Sequence, residues 1–124
     1  MAADCNVLVE FAYALNYSSR TKSDNWVSYK SVCDWYGVDC TSDGQHVSKL
    51  DLPANNLVGE LDLAAHIAPL QYVKYVDLTN NKITNTSAAM NLGQAIKTIA
   101  TSSYENQLVL KLGWNKLEGN LLGL

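Results

Sequence analysis

Leu50-Asp51-Leu52-Pro53-Ala54-Asn55-Asn56-Leu57, Val76-Asp77-Leu78-Thr79-Asn80-Asn81-Lys82-Ile83 and Leu110-Lys111-Leu112-Gly113-Trp114-Asn115-Lys116-Leu117 spell one phrase. Two apolar residues flank a variable one, an asparagine follows, and another apolar residue closes the phrase. Alternation of this kind predicts a short strand with one buried face. Its recurrence along the chain predicts stacked repeats, each too small to bury its own apolar face alone. Leu50, Leu52, Leu57, Val76, Leu78, Ile83, Leu110, Leu112 and Leu117 are then the inward layers, each side chain contributing about 1.5–3 kcal/mol when buried. The asparagines have a different task. A carboxamide both donates and accepts hydrogen bonds, so at a buried turn it can satisfy backbone groups that no strand reaches. Aspartate lacks the donor, and leucine would leave those groups unpaired at roughly 1–3 kcal/mol each. Asn55, Asn81 and Asn115 therefore read as architecture and not as ligands.

The phrase has the form of a leucine-rich repeat. The predicted fold is α/β: a right-handed leucine-rich repeat solenoid with short parallel strands on its concave side and a helical cap at the N-terminus. Residues 1–46 are expected to form the cap and 47–124 three irregular repeats. The interval from Asn81 to Asn115 exceeds that from Asn55 to Asn81. A helix inserted at roughly 87–102 accounts for the excess, with Ser87 as its cap and Ala88, Leu92, Ala95, Ile96 and Ile99 at helical spacing. The segment Leu63 to Leu70, which contains Pro69, reads as a helical turn or two on the convex side. Upstream, residues 4–15 predict a helix with Asp4 as N-cap and Leu8, Phe11, Ala12 and Leu15 as its apolar stripe. The polar stretch Asn16 to Asp24 reads as a loop. Thr41 to Gln45, containing Asp43-Gly44, reads as a turn between two strands.

The 124 residues suit one domain or a piece of one, and 48% apolar content is enough for a core. No run approaches the ~18 apolar residues of a membrane-crossing helix. A net charge of -3 with scattered Lys and Arg argues against a nucleic-acid partner. Met1-Ala2-Ala3-Asp4-Cys5 has neither the charged nor the apolar part of a signal peptide, so the sequence is expected to be a mature segment. Asn16-Tyr17-Ser18 and Asn85-Thr86-Ser87 are glycosylation sequons, which makes Asn16 and Asn85 candidate acceptors in a secreted protein.

Trp26, Cys33, Trp35, Gly37-Val38 and Cys40, followed by the repeats from Val47 to Gly59, closely resemble the N-terminal cap of plant-type extracellular leucine-rich repeat proteins. These include receptor-like kinase ectodomains and polygalacturonase-inhibiting proteins. The resemblance implies secretion and a disulfide between Cys33 and Cys40, with two free thiols or half of a metal site as the competing readings. It also implies that Trp35 packs over the bridge and that Trp26 covers the edge of the first repeat. Cys5 departs from the pattern. Its expected partner would directly precede Cys33, and Val32 stands there. Cys5 is left as a free, partly buried thiol or as the donor of an intermolecular bridge.

Strand positions between the inward leucines face the concave side: Lys49, Asp51 and Pro53; Tyr75, Asp77 and Thr79; Val109, Lys111 and Gly113. Lys49, Asp51, Tyr75, Asp77, Lys111 and Trp114 are the candidate ligand-binding residues, with Tyr75 and Trp114 the strongest because aromatics carry disproportionate binding energy. Three such strands present on the order of 240 Å², against the roughly 800 Å² per partner of a standard interface. More repeats, or the flanking loops, must add to this face. The run from Lys116 to Leu124 lacks the polar cap that such stacks need, so the chain is expected to continue or to be covered by another subunit. His46 and His66 lie in no catalytic or metal-binding motif, and Asp51 and Asp77 lack a cleft. No enzyme activity, metal or cofactor is expected. The predicted function is an extracellular recognition module for a protein, peptide or glycan. The alternative is a structural or adhesive secreted protein that self-associates through its uncapped end.

Overall fold

A computed structural model of the chain describes residues 2–85 and 108–117. Helix α1 spans Ala2–Ala14. Leu8, Phe11, Ala12 and Leu15 follow the helical period, and all four are fully buried. The helix begins earlier than the sequence suggests, so Asp4 lies inside its first turn instead of capping it. There its carboxylate is buried, and Oδ2 accepts the Val47 backbone N–H at 2.8 Å. Asp4 thus fixes α1 to the start of the first repeat. The chain leaves the helix through Asn16, whose φ of 52° lies in the left-handed region that asparagine tolerates. Short 3-10 turns follow at Tyr17–Ser19 and Val32–Asp34.

Strand β1 (Val38–Cys40) turns back antiparallel onto β2 (Val47–Asp51), pairing Val38 with Leu50 and Asp39 with Lys49. The turn between them is held by Asp43, whose Oδ1 accepts from the Thr41 hydroxyl at 2.6 Å and from the Gln45 N–H at 3.0 Å. The Cys33–Cys40 disulfide ties the second 3-10 turn to β1, with Cα atoms 5.6 Å apart. For so short a loop the chain-entropy contribution is about 2.5 kcal/mol. Cys5 is a half-buried free thiol.

Strands β3 (Val58–Leu61), β4 (Tyr75–Asp77), β5 (Lys82–Asn85) and β6 (Val109–Lys111) complete the described strands, and helix α2 (Leu63–His66) is a single turn. The main sheet has the order β1-β2-β4-β6, in which β2, β4 and β6 are parallel. A second, two-stranded parallel sheet pairs β3 with β5. The fold is therefore mixed helix and strand, with an antiparallel edge and an extra small sheet that the repeat phrase alone did not predict. The expected helix at 87–102 and the run after Leu117 lie outside the described residues.

Leu50, Leu52, Leu57, Val76, Leu78 and Ile83 are all fully buried, as inward layers must be, while Leu110, Leu112 and Leu117 are half-buried. The asparagines join one repeat to the next. Asn81 Oδ1 accepts the N–H groups of both Asn55 and Leu57 at 2.9 Å, and its Nδ2 protons are shared among the carbonyls of Leu52, Leu78 and Thr79 at 3.0–3.1 Å. Asn115 repeats this one step on, accepting from Ile83 N–H at 3.0 Å and donating to Leu78 O at 2.8 Å. Asn55 reaches back into the cap, where Oδ1 accepts from Lys22 N–H at 2.7 Å and Nδ2 donates to Lys22 O at 2.8 Å. Gly59 sits where α1 meets β3. Its φ is +141°, and a Cβ there would collide with the Ala14 carbonyl oxygen.

Trp26 and Trp35 are buried with ring centroids 5.0 Å apart, and Phe11 lies 6.1 Å from Trp26. Their indole N–H groups donate to Tyr36 O at 2.8 Å and Lys30 O at 3.1 Å, so neither aromatic hides an unpaired donor. Arg20 lies in the same core, 7% exposed, with its guanidinium carbon 4.2 Å from the centre of the Trp26 ring. Among the described residues Nε, Nη1 and Nη2 of Arg20 have no hydrogen-bond partner. Burial lowers its pKa to about 10, so it remains charged at neutral pH. A desolvated cation–π contact contributes about 2 kcal/mol, whereas burying an unpaired charge costs several. Arg20→Met should therefore leave stability unchanged or raise it, as read from the urea midpoint. A loss above about 2 kcal/mol would contradict this assignment of the opposing terms.

Candidate binding face

Strand pairing puts the variable residues of β2, β4 and β6 into rows. Lys49 aligns with Tyr75 and Val109, and Asp51 aligns with Asp77 and Lys111. The inward residues Leu50, Val76 and Leu110 form the row between them, facing the other side. Backbone hydrogen bonds extend the registry past the strands: Leu52 N–H donates to Asp77 O at 2.8 Å, and Leu78 N–H to Lys111 O at 2.9 Å.

Tyr75 is the centre of the face. Lys49 Nζ lies 5.0 Å and Lys111 Nζ 5.2 Å from its ring centre, one from each neighbouring strand. Cation–π attraction at exposed sites contributes about 0.5–1 kcal/mol per contact, enough to bias where the two long side chains rest. The Tyr75 hydroxyl donates to Asp77 Oδ2 at 3.3 Å, and Lys49 Nζ is 3.9 Å from Asp51 Oδ2. Thr79 donates twice to Asp77 Oδ1, from its N–H at 3.0 Å and its hydroxyl at 2.8 Å. The result is an open, ordered cluster of one phenol, two ammonium groups and two carboxylates.

Partial burial pushes the Asp77 carboxyl up, but the Thr79 N–H and hydroxyl, the Tyr75 hydroxyl and the Lys111 charge together hold it below the usual carboxylate value. Lys111 is held above the usual lysine value, first by the Tyr75 hydroxyl and then by the carboxylates of Asp77 and Asp51. Both groups keep their charges at neutral pH. Such a face can bind polar and aromatic groups by contact and charge.

The other sequence candidates fall elsewhere. Trp114 lies on the turn after β6, 86% exposed and with φ of +57°. His46 stacks on Tyr72 with ring centroids 3.9 Å apart, and its Nδ1 is 3.9 Å from Asp4 Oδ2. His66 Nδ1 accepts the Asp62 N–H at 3.1 Å, and burial, opposed by Asp62 and Glu10, lowers its pKa. Asn16 is exposed, and the remainder of the Asn85 sequon lies outside the described residues. Among the described residues no group of His, Cys, Asp and Glu is arranged to hold a metal ion, and no helix is long and apolar enough to cross a membrane. Sequence reasoning missed a cleft of about 360 Å³ lined by Thr21, Ala54, Asn56, Asn80, Asn81 and Lys82. The signal was present, since four of these residues directly flank the ladder asparagines.

Because the folded pKa of Asp77 is depressed, its contribution to stability is full above the unfolded value of about 3.9 and is lost as pH falls through the lower folded value. Thr79→Val removes one of the hydrogen bonds that lower it. The Asp77 midpoint, followed by carboxyl carbon NMR, should rise in that variant. An unchanged midpoint would show that the hydroxyl bond contributes nothing.

Residues 1–41 match the leucine rich repeat N-terminal domain family. Receptor-like protein 53 of Arabidopsis thaliana is 32% identical over 63 residues, which cover 51% of this chain and 7% of that protein. Among solved structures, the BIR3–SERK2 complex from Arabidopsis thaliana aligns over 90% of this chain and 57% of its own, with a TM-score of 0.56 and 21% identity. A plant ice-binding protein aligns over 94% of this chain and 49% of its own, with a TM-score of 0.53 and 17% identity. The chain thus spans only a small part of the curated relative and about half of each structural neighbour, and at these identities the structures speak for the fold alone. Residues 1–41 are thus similar to the leucine rich repeat N-terminal domain, and the chain is similar in part of its sequence to a plant receptor-like protein and in its fold to plant proteins of solved structure.

Proposed function

We propose that the chain is a non-catalytic, extracellular recognition module, built as a right-handed solenoid with a cap at 1–46 and irregular repeats at 47–124. Its ligand is a protein, peptide or glycan, held on the strand rows. The observation that carries this reading is the Tyr75 cluster. An aromatic ring flanked by Lys49 and Lys111, with Asp51 and Asp77 beside it, stands on an open sheet whose backbone is fixed from below. Aromatic and charged side chains on a rigid support have the composition of an interface hot spot. The partial similarity to Receptor-like protein 53 supports protein partners in particular.

A second reading rests on a separate observation. Leu110, Leu112 and Leu117 are only half-buried, whereas their counterparts in the earlier repeats, Leu50, Leu52, Leu57, Val76, Leu78 and Ile83, are fully buried. Covering this layer with another copy of the chain is the route to self-association. Concentration-dependent sedimentation separates the two readings, because reversible growth into larger species belongs to the second alone.

For the first reading, the chain is screened against arrays of extracellular plant proteins, peptides and glycans, and each binder is re-measured with Tyr75→Ala. Tyr75 is half-exposed at the surface, so the variant should fold with an unchanged circular dichroism spectrum. Loss of at least about tenfold in affinity is the expected result for a hot-spot aromatic. A binder that Tyr75→Ala retains at full affinity would place recognition elsewhere.

A further inference from the structure

Asn16-Tyr17-Ser18 is an acceptor sequon for N-linked glycans, with no proline at its middle position. In the structure it forms the exit from α1. Asn16 and Ser18 are both exposed, and Asn16 lies in the left-handed region. Its N–H donates to Tyr13 O at 3.5 Å, which closes one turn between the two residues. The 3-10 turn Tyr17–Ser19 follows at once, and Arg20 N–H donates to Tyr17 O at 3.3 Å. The sequon is therefore presented at the surface on two hydrogen-bonded turns.

The core does not account for Tyr13, which stands beside the sequon. The apolar stripe of α1 is fully buried, whereas Tyr13 is 62% exposed. Tyr17, itself partly buried against the core, meets it edge to face, with centroids 5.6 Å apart and 89° between the planes. This contact orients the Tyr13 ring and leaves most of the residue in solvent. Residues three apart on a helical turn have Cβ atoms roughly 5–6 Å apart, a span comparable to one pyranose ring. An aromatic face attracts positively polarised edges, and the apolar face of a sugar presents a set of C–H groups of that kind. The second sequon offers a contrast, because Asn85 ends β5 opposite Leu61 and the residue three before it is Lys82. The end of α1 meets β3 at Gly59, in the sheet that does not carry Tyr75.

We propose that Asn16 carries an N-linked glycan and that Tyr13 is the platform on which its first N-acetylglucosamine packs. The donor is a lipid pyrophosphate-linked oligosaccharide. Asn16 Nδ2 forms the new bond to the anomeric carbon and gives up one proton. The C1–O bond to the pyrophosphate breaks, and its electron pair leaves on oxygen. The sugar then covers the open ring, so the glycan becomes part of the packing of the cap. The proposal rests on the extracellular reading above, since this donor and its transferase belong to the secretory pathway. It does not depend on what the Tyr75 rows bind.

The test is secretion of the chain, behind a signal peptide, from cells that make high-mannose glycans. Occupancy of each sequon is read by mass spectrometry after proteolysis, and an endoglycosidase then trims the glycan to its first sugar. Asn16 should be occupied. Protons on one face of that sugar should shift upfield in the NMR spectrum, the ring-current signature of stacking on an aromatic ring. The trimmed chain should melt roughly 2–4 °C above Ser18→Ala, which lacks the sequon but keeps Asn16. In Tyr13→Ala the upfield shift should vanish, and so should the gain over the Tyr13→Ala, Ser18→Ala double variant. The upfield shift is read in the unaltered chain, so the test stands even where Tyr13→Ala fails to fold. Asn16 left unmodified in the secreted chain, whether or not Asn85 carries a glycan, would overturn the proposal and leave the extracellular reading intact. Sugar protons at their free-solution positions, or an equal gain with and without Tyr13, would do the same. A chain retained in the cell despite its signal would overturn the extracellular reading, and this proposal with it.

Discussion

The side-chain amide of Asn81 is the contact on which the rest of the structure depends. It bonds backbone groups of the preceding repeat and of its own turn at once. Parallel strands joined by long connections hold each other only where they pair, and the turns beyond them would be left with buried, unpaired N–H and C=O groups. Each such group costs roughly 1–3 kcal/mol. The ladder removes that cost at every repeat, and through Asn55 and Lys22 it removes it at the junction with the cap. Asp4 reinforces the same junction from the other side by accepting the Val47 N–H. Helix α1 and the loop after it are therefore hydrogen-bonded to β2 and to the turn beyond it along this seam.

This arrangement divides the chain into residues that hold and residues that are free to differ. Leucines at the inward positions and asparagines at the turn are committed to the scaffold. Lys49, Asp51, Tyr75, Asp77 and Lys111 between them are held in fixed register without contributing to the core. Tyr75 illustrates the gain. Its neighbours come from different repeats, so no local segment could assemble the cluster; only the stacking of repeats brings Lys49 and Lys111 to opposite sides of one ring.

Much of this was legible in the sequence because repetition makes long-range contacts local to read. The alignment of Leu50, Val76 and Leu110, and of the variable rows beside them, follows once the phrase is recognised, and the helical stripe Leu8, Phe11, Ala12 and Leu15 follows from its period. What was not legible joins unrelated parts of the chain. Nothing near Asp4 indicates that its carboxylate serves Val47 instead of its own helix end. Nothing in the loop after α1 indicates that Arg20, a residue type expected at the surface, stacks on Trp26 in the core. The left-handed backbone at Ala54 and Trp114 was equally hidden, since neither residue favours it. The ladder imposes that conformation, and local preference yields.

Amide hydrogen exchange tests the ladder most directly, at the N–H groups of Asn55 and Leu57 that Asn81 Oδ1 accepts. Both should belong to the slowest-exchanging class, opening only with the whole fold. In Asn81→Leu with the fold retained, both should accelerate by roughly 100-fold, the equivalent of about 3 kcal/mol. Rapid exchange of these two amides in the unaltered chain, or rates untouched by Asn81→Leu, would contradict the account.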